Sequence, residues 1–336
     1  MVQMTAARID RYRHLSTRLS SLDNPRLRSL WNSGRHNPAG VGGDSAILDV
    51  DGTPVFAKRI PLTDKELTSP GNTANLFDLP MFHQYGTGGP SFNAWRELAA
   101  NITVTQGILS GETAAFPMLF HWRVLPGRPA VAPEHADIEA VFANSNGSPA
   151  VRSRLKALAA ATSSLTLFSE YIPHPMSKWL HDNPIAKAAT TERHLAEIVT
   201  FLNTRALLHM DAHFDNLRTD GNRLYLTDFG LATSPTFDLS PTERAFTIYH
   251  ATYDADYLAM RLVNWLVTAL CGIPIPPTGT PTARNDYVLR CATGDIPTAA
   301  PPDIVPILLR HAPTAAKMNP FWESAFLGDT RAVYPG

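Results

Sequence analysis

Strands in the first half of the chain and helices in the second predict an α+β fold in two parts. Three observations carry this reading. Residues 46–60 alternate around a tight turn, the apolar residues from 191 onward recur at helical spacing, and the 336 residues exceed the ~250–300 at which single hydrophobic cores stop growing. A composition that is 44% hydrophobic and 18% charged belongs to a folded globular chain. With 29 Lys+Arg against 30 Asp+Glu, the net charge of −1 gives no general attraction to nucleic acid or to an anionic membrane. No apolar run approaches the ~18–20 residues of a membrane-spanning helix. Cys271 and Cys291 are too few for a disulfide framework and lack zinc spacing, so a reducing, cytoplasmic setting is expected.

The elements follow in order. Residues 1–36 carry Arg8, Arg11, Arg13, Arg18, Arg26, Arg28 and Arg35, with Ile9, Tyr12, Leu15, Leu19 and Leu22 at roughly helical spacing. This predicts a basic helical extension docked on the fold, with a transit peptide or an anionic-surface anchor as the alternative. Glycine-rich GVGGDS, 40–45, precedes AILDVDGTPVFAKRI, 46–60, whose Asp51-Gly52 suits the type I′ turn of a hairpin. Residues 61–90 lack periodicity and read as a long loop. SFNAWRELAANI, 91–102, is helical, with Ser91 or Asn93 as cap. Strands at 116–125 and 165–172 bracket a polar helix, a break at 144–149 and a basic, Ala-rich helix. Beyond Pro173 helices dominate: 175–182, 191–208, the most apolar one from 254, and a short one at 303–311. Two short strands flank Asp220-Gly221. Phe321, Trp322 and Tyr334, in a Pro-rich tail, are expected to pack under the helical part.

The strongest chemical signal is HMDAHFDN, 209–216, followed twelve residues beyond Asn216 by Asp228-Phe229-Gly230. It places the carboxylates of Asp211 and Asp228 and the carboxamide of Asn216 on loops bracketing a short hairpin. Hard oxygens of this kind suit Mg²⁺, which takes one or two protein oxygens together with phosphate and water. Phosphoryl transfer needs such a site, a cation on the phosphates and a carboxylate to orient the attacking hydroxyl.

These residues resemble the motifs of the protein-kinase-like superfamily. His209, Asp211 and Asn216 match H-x-D-x-x-x-x-N, and Asp228, Phe229 and Gly230 match D-F-G. The resemblance implies a bilobal protein-kinase-like fold: an N-lobe antiparallel sheet with one helix, spanning 37–172 with inserts at 61–90 and 126–160, and a mostly helical C-lobe, 173–336. It implies ATP and Mg²⁺ as cofactors. Lys58 of VFAK would hold the α/β-phosphates and Glu97 of WRE would hold Lys58. Gly40, Gly42 and Ser45 would let the backbone approach the phosphates. Backbone groups of Glu170 and Ile172 would meet the adenine edge, with Ser169 as a small gatekeeper. Asp211 would orient the acceptor hydroxyl, Asn216 and Asp228 would bind Mg²⁺, His209 would fix the loop, and His213 would contact phosphate or substrate. Asp256 is the expected brace of the catalytic loop, and the two inserts are expected on either side of the cleft.

Met210 and His213 stand where Ser/Thr protein kinases resemble H-R-D-L-K, and H-x-D-x-H-x-x-N is similar to the aminoglycoside-phosphotransferase-like small-molecule kinases. No A-P-E follows Gly230. The resemblance therefore implies transfer to a hydroxyl of a small molecule, an antibiotic or metabolite, ahead of a Ser/Thr protein kinase on account of DFGLA, and ahead of a pseudokinase. Two other readings exist. ILDVDGT, 47–53, matches the D-x-D-G-T motif of haloacid-dehalogenase-like phosphatases, but Gly294-Asp295 and Gly328-Asp329 lack the acidic partner which that family needs. His209 and His213 could form an i,i+4 metal pair, without the further ligands of a zinc site. Residues 1–208 hold 20 Lys+Arg and 17 Asp+Glu against 9 and 13 in 209–336, which raises a cationic acceptor as a hypothesis.

Overall fold

The computed structural model describes residues 6–37, 43–181, 183–298 and 300–336. The architecture is α+β, with a five-stranded antiparallel sheet, a three-stranded sheet and many helices. Gly40 and Gly42 lie outside the described residues.

The basic start forms α1, Ala6–Ser20, and α2, Asn24–Asn32, which bury Leu15, Leu19, Leu27 and Trp31. Arg8 is itself buried. Its guanidinium donates to Glu170 Oε2 at 2.7 Å, Phe116 O at 2.6 Å and Ala114 O at 3.2 Å, while Arg11 reaches Glu170 Oε1 at 2.7 Å. The extension is thus a docked helix, fixed by charge as well as by its apolar stripe.

Strands β1, Arg35–His36, β2, Asp44–Val50, and β3, Thr53–Leu62, come next. Asp51 and Gly52 both take positive φ, +52° and +80°, the geometry a type I′ hairpin demands. Asp49 Oδ1 accepts from Gly52 N at 2.9 Å, and Asp51 pairs with Arg18 at 3.1 Å. The D-x-D-G-T letters are therefore spent on a turn and a helix contact. The sheet is completed by β4, Leu119–Pro126, and β5, Ser163–Glu170, in the order β1-β2-β3-β5-β4.

Residues 61–90 are more ordered than their missing periodicity suggests. They contain α3, Asp64–Leu67, with a capping box between Thr63 and Glu66, and a 3₁₀ turn at Met81–Tyr85. Helix α4, Ala94–Leu109, starts at the N-cap Asn93, as the sequence suggests, and covers the sheet through Trp95 and Leu98 against Ile60, Leu62, Leu165 and Leu167. Between β4 and β5 lie α5, Pro133–Ala136, α6, Ile138–Asn144, and α7, Pro149–Ala160.

The two long inserts do not flank a cleft from opposite sides. Phe77, Leu79 and Phe92 share a satellite core with Val141, Val151 and Leu155, and Arg154, 1% exposed, donates to Glu66 Oε1 at 2.8 Å. A buried ion pair and an apolar patch draw them together, and neither is visible as a periodic pattern.

The helical part holds β6, His174–Pro175, α8, Met176–His181, α9, Pro184–Thr204, the hairpin β7, Leu217–Thr219, and β8, Leu224–Leu226, then α10, Pro241–Tyr249, α11, Tyr253–Leu270, α12, Thr282–Ala292, and α13, Val305–Phe326. Helix α13 runs far beyond the expected 303–311. Pro313 and Pro320 lie inside it, yet Ile307, Leu308, Ala312, Ala315, Met318 and Phe321 keep one apolar face against α11 and α12. Phe321 and Tyr334 are buried with Tyr85, His250 and Tyr253 in one aromatic cluster.

His250 is 3% exposed, with Nδ1 on Phe246 O at 2.8 Å and Nε2 on the Tyr85 hydroxyl at 2.6 Å. Burial pushes its pKa down to about 4. The unfolded chain binds a proton near ~6.5 and the folded one only near 4, so stability falls as pH drops through that window, by at most ~1.4 kcal/mol per pH unit for one such group. His250→Gln is expected to flatten the pH dependence of urea unfolding between pH 6.5 and 4, while a slope equal to that of the parent protein contradicts this account.

Candidate functional site

Asp254, the second residue of α11, is 2% exposed, and its carboxylate accepts from His209 N at 2.6 Å and Met210 N at 2.9 Å. Those two bonds hold Met210 at φ +65°, a left-handed conformation uncommon for a long side chain. Sequence reasoning assigned this bracing role to Asp256. The structure corrects it: Asp256 accepts from Thr252 Oγ1 at 3.1 Å and from the Tyr334 hydroxyl. Two residues turn a helix by ~200°, so when α11 begins at Tyr253 only Asp254 faces inward.

His209 is fully buried between the loop and the D-F-G segment. Its Nδ1 accepts from Asp211 N at 3.2 Å, leaving Nε2–H for Thr227 O at 3.0 Å. With both nitrogens committed, the His209/His213 metal pair has no lone pair left on one member. Burial lowers the His209 pKa to about 4, consistent with the neutral tautomer these bonds require.

The β7–β8 register sets Leu217 opposite Leu226, which brings the residues just outside the hairpin together. Thr227 N and Oγ1 donate to Asn216 O at 2.9 and 2.8 Å. Asn216 Nδ2 in turn donates to Asp211 O at 2.9 Å and Oδ2 at 3.1 Å. Asp228 follows Thr227 at φ +64°. The hairpin therefore gathers Asp211, Asn216 and Asp228, which the sequence separates by up to 17 positions.

Across the cleft, Lys58 on β3 donates to Glu97 Oε1 on α4 and to Asp228 Oδ1, both at 2.8 Å. Burial alone would lower the lysine pKa, but the carboxylates of Asp228 and Glu97 overcome it and raise it. Burial pushes Glu97 up to about 7 despite Lys58. Burial and then the Asp228 charge push Asp211 up to about 7. Asp228 itself, also penalised by burial, is held below the usual carboxylate range by the Lys58 ammonium and the Gly230 N–H. Lys58, Asp211 and Asp228 line a cleft of about 1020 Å³, with Glu97 buried behind Lys58.

His213 also lines the cleft, its Nε2 3.6 Å from Asp211 Oδ1. Ser45 lines it at the start of β2, where its Oγ accepts from Asn37. Glu170 and Ile172 do not line this cleft. Glu170 N is taken by Met118 O at 2.9 Å, its carboxylate turns to Arg8 and Arg11, and Ile172 O accepts from Arg218 at 2.9 Å. Both residues border a smaller cavity instead. The expectation of their backbone pairing with a base is thus limited to the Glu170 carbonyl and the Ile172 N–H.

Three features had no motif to announce them. Arg96, beside Glu97, donates to Glu243 Oε1 of α10 at 2.5 Å and to Thr73 O at 2.6 Å, so α4 is anchored to the segment after Gly230. Asp238 Oδ2 accepts from Thr73 N at 3.0 Å, adding a second anchor. Gly86, at φ +72°, brings the 61–90 insert over Asp211, where an added Cβ would stand 3.5 Å from Asp211 Oδ1 and 2.8 Å from the Leu231 side chain. Among the described residues no group of three or more His, Cys, Asp or Glu side chains is placed to hold a metal by itself. The sequence matches no protein-family model and no curated protein.

Asp254→Ala leaves two buried N–H groups unpaired and is expected to cost ~2–5 kcal/mol of stability, against ~1 kcal/mol for Asp256→Ala. Equal losses in chemical denaturation would refute the assignment of the brace to Asp254.

Proposed function

We propose that this chain is an ATP- and Mg²⁺-dependent phosphotransferase, of bilobal protein-kinase-like fold, that moves the γ-phosphoryl group to a hydroxyl of a small molecule. The observation that carries the reading is the Lys58 ammonium shared at 2.8 Å between Glu97 and Asp228, on the same cleft as Asp211 and Asn216. In this reading Lys58 binds the α/β-phosphates, Glu97 holds Lys58, and Asp211, whose Oδ2 accepts from Asn216 Nδ2 at 3.1 Å, orients the acceptor hydroxyl.

The donor set fits Mg²⁺. The Asp228 side chain is 41% exposed toward the cleft, and the Asn216 amide nitrogen is occupied by Asp211, which presents the amide oxygen as a second hard ligand. Two protein oxygens without a closed cage suit an ion that takes its other ligands from phosphate and water. When bound, such an ion neutralises charge on the phosphate oxygens.

Small-molecule transfer is supported by the acceptor side. The chain after Gly230 is pinned rather than free: Thr233 bridges Leu208, Asp238 holds Thr73, and Thr233 and Ser234 are buried. The insert around Gly86 stands over Asp211, and α12 and α13 close the far end of the cleft. An extended peptide has little open groove there, whereas a compact alcohol has a chamber.

Asp228→Asn is expected to lower Mg·ATP turnover by roughly 10²-fold or more while leaving a folded protein with a cooperative melt, because Lys58 retains Glu97. Unchanged turnover in an ATP-consumption assay would remove the assignment.

A further inference from the structure

Past Asp211 the cleft continues between α11, the start of α12 and the end of α13, where Tyr257, Arg261, Asn264, Arg284, Trp322 and Glu323 line it. Tyr257 faces the catalytic-loop end, and Arg261 follows one turn later on the same helix, ~6 Å along its axis. The Arg261 guanidinium lies over the Phe214 ring at 5.7 Å. The Arg284 guanidinium donates to its neighbour Asn285 Oδ1 at 2.9 and 3.2 Å. Among the described residues neither has a carboxylate at ion-pair distance. Burial first, and then the charge of Arg261, hold the Arg284 pKa below its usual value, so the two cations stand close enough to repel.

Two half-buried guanidiniums that converge without a counter-ion are costly unless something anionic joins them. The carboxylates nearby do not fill that role. Asp215 leaves 90% of its side chain in solvent, beside His213, and Glu323 acts on Arg284 from beyond contact distance. Tyr257 and Asn264, on the same helix as Arg261, add a hydroxyl and an amide to this wall. A ligand with an acidic head answers the two guanidiniums, and its hydroxyl groups suit the polar side chains around them.

We propose that the phosphoryl acceptor is a hydroxylated acid, whose carboxylate or phosphate sits between Arg261 and Arg284 with its reacting hydroxyl turned toward Asp211. This rests on the phosphotransferase reading for the chemistry, but the anion subsite itself does not. It also reverses the sign suggested by the acidic second part of the chain. Three of the acids in excess there are Asp211, Asp228 and Asp254 at the catalytic loop, not on the acceptor wall.

Four probes of one carbon skeleton separate the possibilities: gluconate, glucose 6-phosphate, glucose and glucosamine. Their binding to the full chain is measured by calorimetry, with Mg·ATP titrated separately. At least one acid is expected to bind tenfold or more tightly than glucose and glucosamine. Arg261→Gln and Arg284→Gln are each expected to weaken that acid about tenfold, the effect of one lost charge-assisted bond. Arg290→Gln, the same charge change away from the cleft, is expected to leave it unmoved. The two acid arms tell carboxylate from phosphate. Glucose or glucosamine binding as tightly as the acids, no binding of either acid, or acid affinity indifferent to both arginine changes would each overturn the proposal. Acid binding without any Mg·ATP binding would keep the anion subsite and discard the kinase reading. The converse, Mg·ATP bound and the acids refused, would do the opposite.

Discussion

One ammonium between two carboxylates governs how this molecule is put together. Lys58 meets Glu97 and Asp228 across sequence separations of 39 and 170 residues, so it fixes β3, α4 and the segment after β8 to one another. A buried lysine alone would lose its charge; Asp228, open to the cleft, and the buried Glu97 together keep Lys58 charged. Each carboxylate therefore ties its own element to β3. Arg96 repeats the device one residue earlier on α4, reaching outward to Glu243 while Glu97 reaches inward. Adjacent residues on a helix point in different directions, and here both directions end in an ion pair.

The same economy of buried charge shapes the surroundings. Glu66, almost wholly shielded, takes N–H groups from Thr63 and Ala94 and the guanidinium of Arg154, which is why burial fails to raise its pKa and the net shift is downward. That cluster joins the two inserts into one shelf beside the start of α4. The shelf ends in the turn at Met81–Tyr85, whose Tyr85 is sunk among Phe246, Tyr253 and Phe321. Surface loops are commonly mobile. This one is clamped at both ends, so its position over Asp211 is fixed by packing.

Much of this was legible in the chain. The 46–60 hairpin, the N-cap Asn93 and the short strands around Asp220-Gly221 are local, and local rules find them. Lys58, Glu97, Asp211, Asn216 and Asp228 were singled out by resemblance to known motifs, and the structure brings them together. What escaped was long-range or a matter of phase. Whether Asp254 or Asp256 braces the loop depends on where α11 begins, a boundary that differs by a residue or two between readings of any sequence. The packing of 61–90 on 126–160 depends on Arg154 meeting Glu66 across 88 positions, for which no periodicity exists. The length of α13 was cut short by Pro313, whose local preference the tertiary apolar face overrides. The ion pair of the Glu170 carboxylate with Arg8 was equally out of reach, since 162 positions separate the two.

That pairing of Arg8 bears on the order of assembly. The partners of its guanidinium are Ala114, Phe116 and Glu170, and the group lies over the ring of Tyr225 at 5.4 Å. The site that receives α1 thus does not exist until well over half the chain has been synthesised. At ~5–20 residues per second the first helix waits ~10 s or more with its arginines and its leucine stripe unsatisfied. An isolated helix of 15 residues is marginal in water. Helix α1 therefore docks after the strands that carry its partners, and by then only the short link from Ser20 to Arg35 remains to be closed. It is held as a late-fitted bolt on a sheet already formed.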